Sequence, residues 1–329
     1  MALSGVNYPT LHSIAAAMPC GTANEVAART AVELQSQVND IMNVLPLFPC
    51  NNGTREEVML RAALPEIAWR MMNKGVKPTK SAMQRASFSC GYAEALSEID
   101  ELVWKTNKYS DEYRMSEAKA HQFAMFNKMA ETMFYGDEKK NPAGFTGLGA
   151  YYYKTGTDMW GKQVIKAGGS GNALTSIWIV CFGRETVYGI YPEGSKSGGY
   201  EYEDLGKQQI TDPDGGKLFG YTSKFDWNMG LAVKDPRAVV RLCNIDTTDM
   251  NDDLISKLIE AVDTIDNPDA GFTAIFCNRK VSTYLRKQVA AKNNMSLRVD
   301  EFAGKKVTHY DTIPILRCDA ITSTESALS

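Results

Sequence analysis

Phe134-Tyr-Gly-Asp137, Asn141-Pro142 and Phe145-Thr-Gly-Leu148 follow one another within fifteen residues, and between them a helix must end and the chain must turn. Gly136 supplies the usual helix stop, and the segment ahead of it carries the helical signal. Met115, Ala118, Met125, Met129 and Met133 recur along one side of that segment, with Phe126 and Ala130 beside them. Ser110, followed by Asp111 and Glu112, supplies an N-cap with acids in the first turn, where the helix dipole favours negative charge. A helix over 110–135 is predicted, roughly 38 Å long at 1.5 Å per residue. An element of that length is a structural backbone, and its methionine stripe reads as core rather than as a cofactor box.

Upstream, residues 51–90 read as a solvated finger. Asn52-Gly53 and Asn73-Lys-Gly75 are turn signals, while Val58 to Leu60, Ile67 to Trp69 and Ala82 to Phe88 have strand composition. Pro65 and Pro78 exclude a central strand, so a long edge hairpin is expected, kept in solution by Arg55, Glu56, Glu57, Arg61, Arg70, Lys74, Lys77, Lys80 and Arg85. Before it, Thr22-Ala-Asn-Glu25 has the capping-box form. Ala27, Ala31, Leu34, Val38, Ile41 and Leu45 then continue a helical period until Pro46. The first twenty residues show no period and read as an extended arm.

Downstream, Ile177 to Val180, Val187 to Tyr191, Phe225 to Val233, Ala238 to Ile245, Phe272 to Cys277 and Ile313 to Leu316 read as strands. Helices are expected over about 252–265 and 281–292, and a loop-rich stretch over 192–220. Irregular interleaving of helices and strands favours α+β over a doubly wound parallel sheet.

The balance of 36 Lys plus Arg against 39 Asp plus Glu gives a net charge of −3, with no basic block of the kind that duplex-coating or membrane-surface proteins carry. No apolar run approaches the roughly 20 residues that a bilayer requires, and no signal peptide is evident. The seven cysteines are scattered and form no CxxC pair, so neither a disulfide framework nor a zinc knuckle is expected. His12, His121 and His309 stand alone and read as satisfied or solvated residues.

Other motifs fail on context. Gly168-Gly-Ser-Gly171 precedes a strand and lacks the Gly-Lys-Ser/Thr ending of a phosphate loop. Ser116-Glu-Ala-Lys119 and Lys154-Thr-Gly156 match two signatures of penicillin-recognising serine enzymes, but the middle signature is missing and the spacing is too short. Asp249, Asp252 and Asp253 do not follow the calcium-loop spacing and read as helix caps. Asn52-Gly-Thr54 has only the form of a glycosylation site. No catalytic, cofactor-binding or metal-binding residue is assigned, and no cofactor is expected.

The order of pieces is more specific than any of these motifs. The helix ending in Phe134-Tyr-Gly-Asp137, with Asn141-Pro142 and Phe145-Thr-Gly-Leu148 behind it, resembles the major capsid proteins of tailed bacteriophages. Ser176-Ile-Trp-Ile-Val180, Val187-Tyr-Gly-Ile-Tyr-Pro192, Glu203-Asp-Leu-Gly206, Gly230-Leu-Ala-Val-Lys-Asp235, Val239 to Asp246, Gly304 and Ile313-Pro-Ile315 continue the likeness in order from about Leu45 onward. The resemblance implies an α+β, HK-97-like (Hong Kong 97) fold. It comprises an N-terminal arm (1–50), an E-loop hairpin (51–90), a peripheral domain (91–150) with spine helix 110–135, a mainly axial region (151–225), spine strands (226–250), a second axial region (251–310) and a C-terminal return (311–329).

The implied function is a coat protein, not an enzyme, that self-assembles as hexamers and pentamers into an icosahedral shell around DNA it does not read. The implied location is the virion, after assembly in the host cytoplasm. Implied partners are a portal protein, a separate scaffolding protein, since the arm begins almost at once, and a cement or decoration protein. A crosslinking Lys, Asn and Glu triad has no match here. The alternatives are an encapsulin-like nanocompartment shell and a cytosolic enzyme using Ser116 and Lys119 or the loop at Gly168.

Overall fold

Continuous apolar runs such as Leu174–Phe182 and Phe272–Cys277, with no polar alternation, belong to strands covered on both faces. A computed structural model describes residues 38–106, 111–195, 197–211, 214–250, 253–290, 297–302 and 305–328, and these runs form the centre of its main sheet. In chain order, helix α1 (Ile41–Val44) and strand β1 (Leu47–Pro49) lead into the hairpin strands β2 (Arg55–Ala63) and β3 (Ala82–Ser89). Strand β4 (Gly91–Asp100), α2 (Glu101–Thr106) and the long α3 (Asp111–Tyr135) follow. Next come α4 (Leu148–Tyr151), β5 (Val164–Lys166), β6 (Leu174–Phe182), β7 (Val187–Tyr191), β8 (Tyr200–Thr211), β9 (Lys217–Val233) and β10 (Val239–Asp246). The last elements are α5 (Asp253–Asp263), β11 (Phe272–Cys277), α6 (Arg279–Ala290), β12 (Leu297–Phe302), β13 (Lys305–Tyr310) and β14 (Ile313–Arg317).

The sheet runs β12-β13-β14-β11-β6-β7-β9-β4, with β10 and β5 beside β6, β1 beside β7 and β8 beside β9. Pairings are mixed: β11 is parallel to β14 and antiparallel to β6, so the sheet is not all-parallel. Period-two alternation sends Trp178, Val180, Phe182, Ala274, Phe276 and Leu316 into one core, where Met125, Met129, Met133 and Phe134 of α3 meet them. The intervening Ile177, Ile179, Ile275, Ile313 and Ile315 enter a second core under Leu254 and Leu258 of α5 and Val281 and Leu285 of α6. Each such side chain contributes about 1.5–3 kcal/mol by leaving water. Strand β9, 17 residues long, passes from this sheet into the β8-β9-β4 layer, so one strand ties the two together.

Several expectations need correction. Of the helix predicted up to Leu45, the described part is helical only over Ile41–Val44, because Asn39 bridges to Cys318 and the Asp40 amide donates to the Arg317 carbonyl. The Thr22 capping box lies outside the described residues, as do His12, Cys20, Ser110, Asp252 and Gly304. Ile67 to Trp69 form no strand. The expected loop over 192–220 instead contains β8, eleven of whose twelve residues pair with β9. Its polar text, Tyr-Glu-Tyr-Glu-Asp-Leu-Gly, hid it because most of the strand faces water and its register shifts between Asp204 and Gly206, where Gly206 has φ +70°.

The methionine stripe is core only in the second half of α3. Met115 is exposed, and Phe126 sits edge-on against Trp227 at 4.8 Å while remaining partly open. Gly136 does not stop the helix through a left-handed turn. A Cβ there would lie 2.4 Å from the Phe145 carbonyl oxygen, so the glycine is required by the close return of the chain, which also places the Gly147 amide on the Gly136 carbonyl at 3.0 Å.

Candidate assembly surfaces

The β2–β3 hairpin is anchored at its root and bare at its tip. Strands β2 and β3 pair antiparallel from Arg55↔Ser89 to Ala63↔Ala82, with one irregularity between Arg61 and Ala63. At the root Val58, Leu60 and Phe88 are buried, and Phe88 packs edge-on against Tyr151 at 6.0 Å. The Ser89 hydroxyl donates to Glu138 at 2.6 Å and the Tyr188 hydroxyl to Glu56 at 3.0 Å; burial raises the pKa of Tyr188, which keeps that donor protonated. A Cβ at Gly230 would stand 2.5 Å from the Ser89 carbonyl oxygen, so β9 presses directly on the hairpin base.

Residues 64–81 extend past the ladder without strand pairing. Trp69 is fully exposed and Ile67 is 91% exposed, and Leu64, Met71 and Met72 are open beside them. Exposed apolar residues scattered singly are unremarkable, but these five and Val76 on one loop leave apolar area that a partner surface would remove from water. Arg70 lies among them and Lys74, Lys77 and Lys80 follow on the same loop, charges that favour solution for the free subunit. The stem carries an Arg85–Glu57 ion pair, and Arg85 lowers the pKa of the Glu57 carboxyl.

A second surface is the outer face of β8-β9-β4. Tyr92 and Leu96 are exposed there among Glu94, Glu201 and Glu203, whereas the exposed Tyr202 and Phe219 share the opposite, α3-facing side with Phe225 and Tyr221. Arg114 of α3 clamps this layer: it donates to Asp204 at 2.8 Å, contacts Ser223 and lies over the Tyr221 ring at 5.3 Å. Its hydrogen bond holds the Asp204 carboxyl below its ordinary pKa.

The C-terminal segment is fastened by a buried charge. Arg241 of β10 donates to Glu325 at 2.9 Å, to the Tyr152 carbonyl at 2.9 Å and to Ser176 at 3.1 Å, and it lies over Trp178 at 4.8 Å. The Tyr135 and Ser176 hydroxyls donate to the same Glu325 carboxylate. Glu325 also bridges to Leu174, and Leu328 exchanges two hydrogen bonds with Asn244, so the segment spans α3, β6 and β10.

The residues singled out from sequence do not converge on a reaction centre. Ser116 and Lys119 lie in the outer half of α3, whereas the Lys154 ammonium sits over Tyr153 at 5.4 Å. Gly168 to Ser170 line a cleft of ≈260 Å³ with Asp246, Asp249 and Asp253, a carboxylate-rich wall that repels phosphate. Asp246 of this wall accepts from the Thr248 amide and hydroxyl. His121 stacks on Phe225 with Nδ1 2.9 Å from the Glu117 carbonyl, and His309 is buried with Nδ1 3.1 Å from the Val307 carbonyl. Among the described residues no group of three or more His, Cys, Asp or Glu could hold a metal, and no helix is long and apolar enough to cross a membrane. Two pairings had no signal in the spacing: Arg241 with Glu325, and Cys50 with Cys90, whose sulfurs lie 3.4 Å apart.

Residues 23–329 match the protein family described as "Major capsid protein GP7". Among solved structures, a chain from the structure of bacteriophage Epsilon15 is similar over 100% of this chain and 99% of its own, with 31% sequence identity and a TM-score of 0.72. The capsid of bacteriophage JBD30 is similar over 92% of this chain and 99% of its own, at 9% identity and a TM-score of 0.52, a likeness of fold. No curated protein matches.

Proposed function

The chain belongs to the family of major capsid protein GP7 and is a shell subunit of tailed-phage virions with the HK97-like fold, and we propose that it joins its neighbours mainly through the hairpin tip at 64–81. The observation that carries this is the contrast between a wedged root and a bare apolar tip: a rigid stem delivers Leu64, Ile67, Trp69, Met71 and Met72 away from the body that made them. Many modest contacts per subunit close a shell because each added contact is intramolecular once the first has formed.

On this reading residues 1–50 are the arm, 51–90 the E-loop, and 91–150 the peripheral domain with α3 as its spine. Residues 151–225 and 251–310 are mainly axial, 226–250 are spine strands and 311–329 return to the periphery. The subunit occupies hexamers and pentamers, meets a portal protein at one vertex, assembles with a separate scaffolding protein and accepts a cement or decoration protein. It encloses double-stranded DNA without reading its sequence; a net charge of −3 suits a wall that must not hold phosphates. It carries no catalytic role. A nanocompartment shell is the weaker alternative, since the matching family is one of major capsid proteins and the 31%-identical structure is of a bacteriophage.

Expression alone and with a scaffolding protein, followed by negative-stain microscopy, tests the reading: shells or capsomers are expected, and a strictly monomeric protein under all assembly conditions overturns it. Removing residues 1–37, which stops short of the buried Ile41, leaves subunit melting unchanged and impairs assembly; intact shells from the truncated chain refute the arm assignment.

A further inference from the structure

Cys50 and Cys90 bracket the hairpin. Cys50 follows β1, Cys90 joins β3 to β4, and everything between them is the protruding finger. Both are buried, and their sulfurs lie 3.4 Å apart although the residues are 40 positions apart in sequence. The backbone on each side is held: the Cys50 amide donates to the Tyr191 carbonyl at 2.9 Å and the Cys90 amide to the Thr54 carbonyl at 3.0 Å. By contrast Cys181, Cys243 and Cys318 each turn their thiol to an oxygen, of Pro268, Ile165 and Asn39 respectively.

We propose that Cys50 and Cys90 are an oxidisable dithiol whose disulfide closes the hairpin into a covalent ring at its root. The bonded S–S distance is about 2.0 Å, so the sulfurs approach by little more than a side-chain rotation from a contact already made. The oxidant is a small-molecule disulfide such as oxidised glutathione. One cysteine thiolate attacks it and expels a glutathione thiolate, and the second cysteine then attacks the mixed disulfide and expels the other. The two cysteines lose two electrons and two protons, and the reagent becomes two glutathione thiols.

Burial raises the pKa of both thiols, so attack requires the root to open and the reaction is slow. In a reducing cytosol the pair stays as thiols and packing and hydrogen bonds alone hold the root; in an oxidising medium a covalent bond is added to them. The inference concerns the subunit and does not depend on its assembly into a shell.

The tip itself supplies the assay. Trypsin cuts after Arg70, Lys74 or Lys80, on the exposed side of the thiol pair, and Pro78 protects the bond after Lys77. Full-length protein is incubated with oxidised glutathione, the remaining thiols are alkylated, and the protein is nicked and run on a denaturing gel without reductant. The two fragments are expected to stay joined, to separate on adding dithiothreitol, and to yield a Cys50–Cys90 linked peptide by mass spectrometry. Protein kept in dithiothreitol separates throughout, and Cys50→Ser and Cys90→Ser each abolish the link. Separation of the oxidised wild-type fragments, or a link through any other cysteine, overturns the proposal. The wild-type arm decides the matter even if a serine variant fails to fold.

Discussion

Replacing Glu325 by Ala removes the counter-charge of a guanidinium that has almost no access to water. The side chains of Arg241 and Glu325 are each 7% exposed, and the pair is closed by the Trp178 ring on one side and the Tyr152 carbonyl on another. Breaking such a pair by deleting one partner costs about 3–5 kcal/mol, because the remaining charge stays buried and uncompensated. Here the Tyr135 and Ser176 hydroxyls lose their acceptor as well. At about 2.1 cal/mol/K per residue, a chain of 329 residues melts with an entropy of about 0.7 kcal/mol/K, so the expected fall in Tm is about 4–7 °C.

Thermal unfolding of the unassembled subunit by circular dichroism is the assay, since shell contacts would mask the loss. Glu325→Gln, which keeps an acceptor and removes the charge, should fall less. Arg241→Met with Glu325→Leu should lie closer to wild type than Glu325→Ala alone, because neither variant side chain is left charged. A Glu325→Ala protein melting within about 1 °C of wild type refutes the reasoning. So does a double variant whose loss equals the sum of its two single losses.

Trp69→Ser at the bare tip should change subunit stability by less than about 0.5 kcal/mol, as surface substitutions do. It should reduce shell yield in negative-stain counts, and unchanged yield would remove Trp69 from the contact. Gly136→Ala forces a methyl group against the Phe145 and Thr132 carbonyls and should cost about 1–3 kcal/mol in urea unfolding; a neutral result would mean that the 145–147 return is free to move. Burial raises the pKa of Asp319, but the Arg317 guanidinium and the Val38 amide outweigh it and hold the carboxyl below its ordinary value of 3.8. Its contribution is therefore full above about pH 3.8 and is lost as pH falls through the lower folded value. Asp319→Asn should flatten that acid limb of the stability curve, and an unchanged limb would exclude this residue as a source.

The elements legible in the sequence were those whose partners are local or whose burial is complete. Helix α3 over Asp111–Tyr135 and strand β11 over Phe272–Cys277 fall where periodicity and the apolar run put them, because a helix face repeats every three or four residues and a strand covered on both faces needs no polar position. Residues 55–63 and 82–89 were legible as a hairpin because turn residues and prolines punctuate it. The order of short motifs carried the family likeness, since each short piece alone is weak.

What lay beyond the sequence was pairing across distance and the face each element turns to water. Strand β8 reads as loop because its exposed side chains are polar, and only the ladder with β9 makes it a strand. The C-terminal half of α3 is core and its N-terminal half is not, because the sheet beneath covers one and not the other. Arg241 meets Glu325 across 84 residues and Cys50 meets Cys90 across 40, contacts that cost loop-closure entropy and leave no local periodicity to read. The sequence by itself determined where helices and buried strands form, since those follow from nearest-neighbour sterics and the spacing of apolar side chains. Only the tertiary structure decided which tip stays bare, which charge is buried and which two thiols face each other, because each depends on what the rest of the chain leaves uncovered.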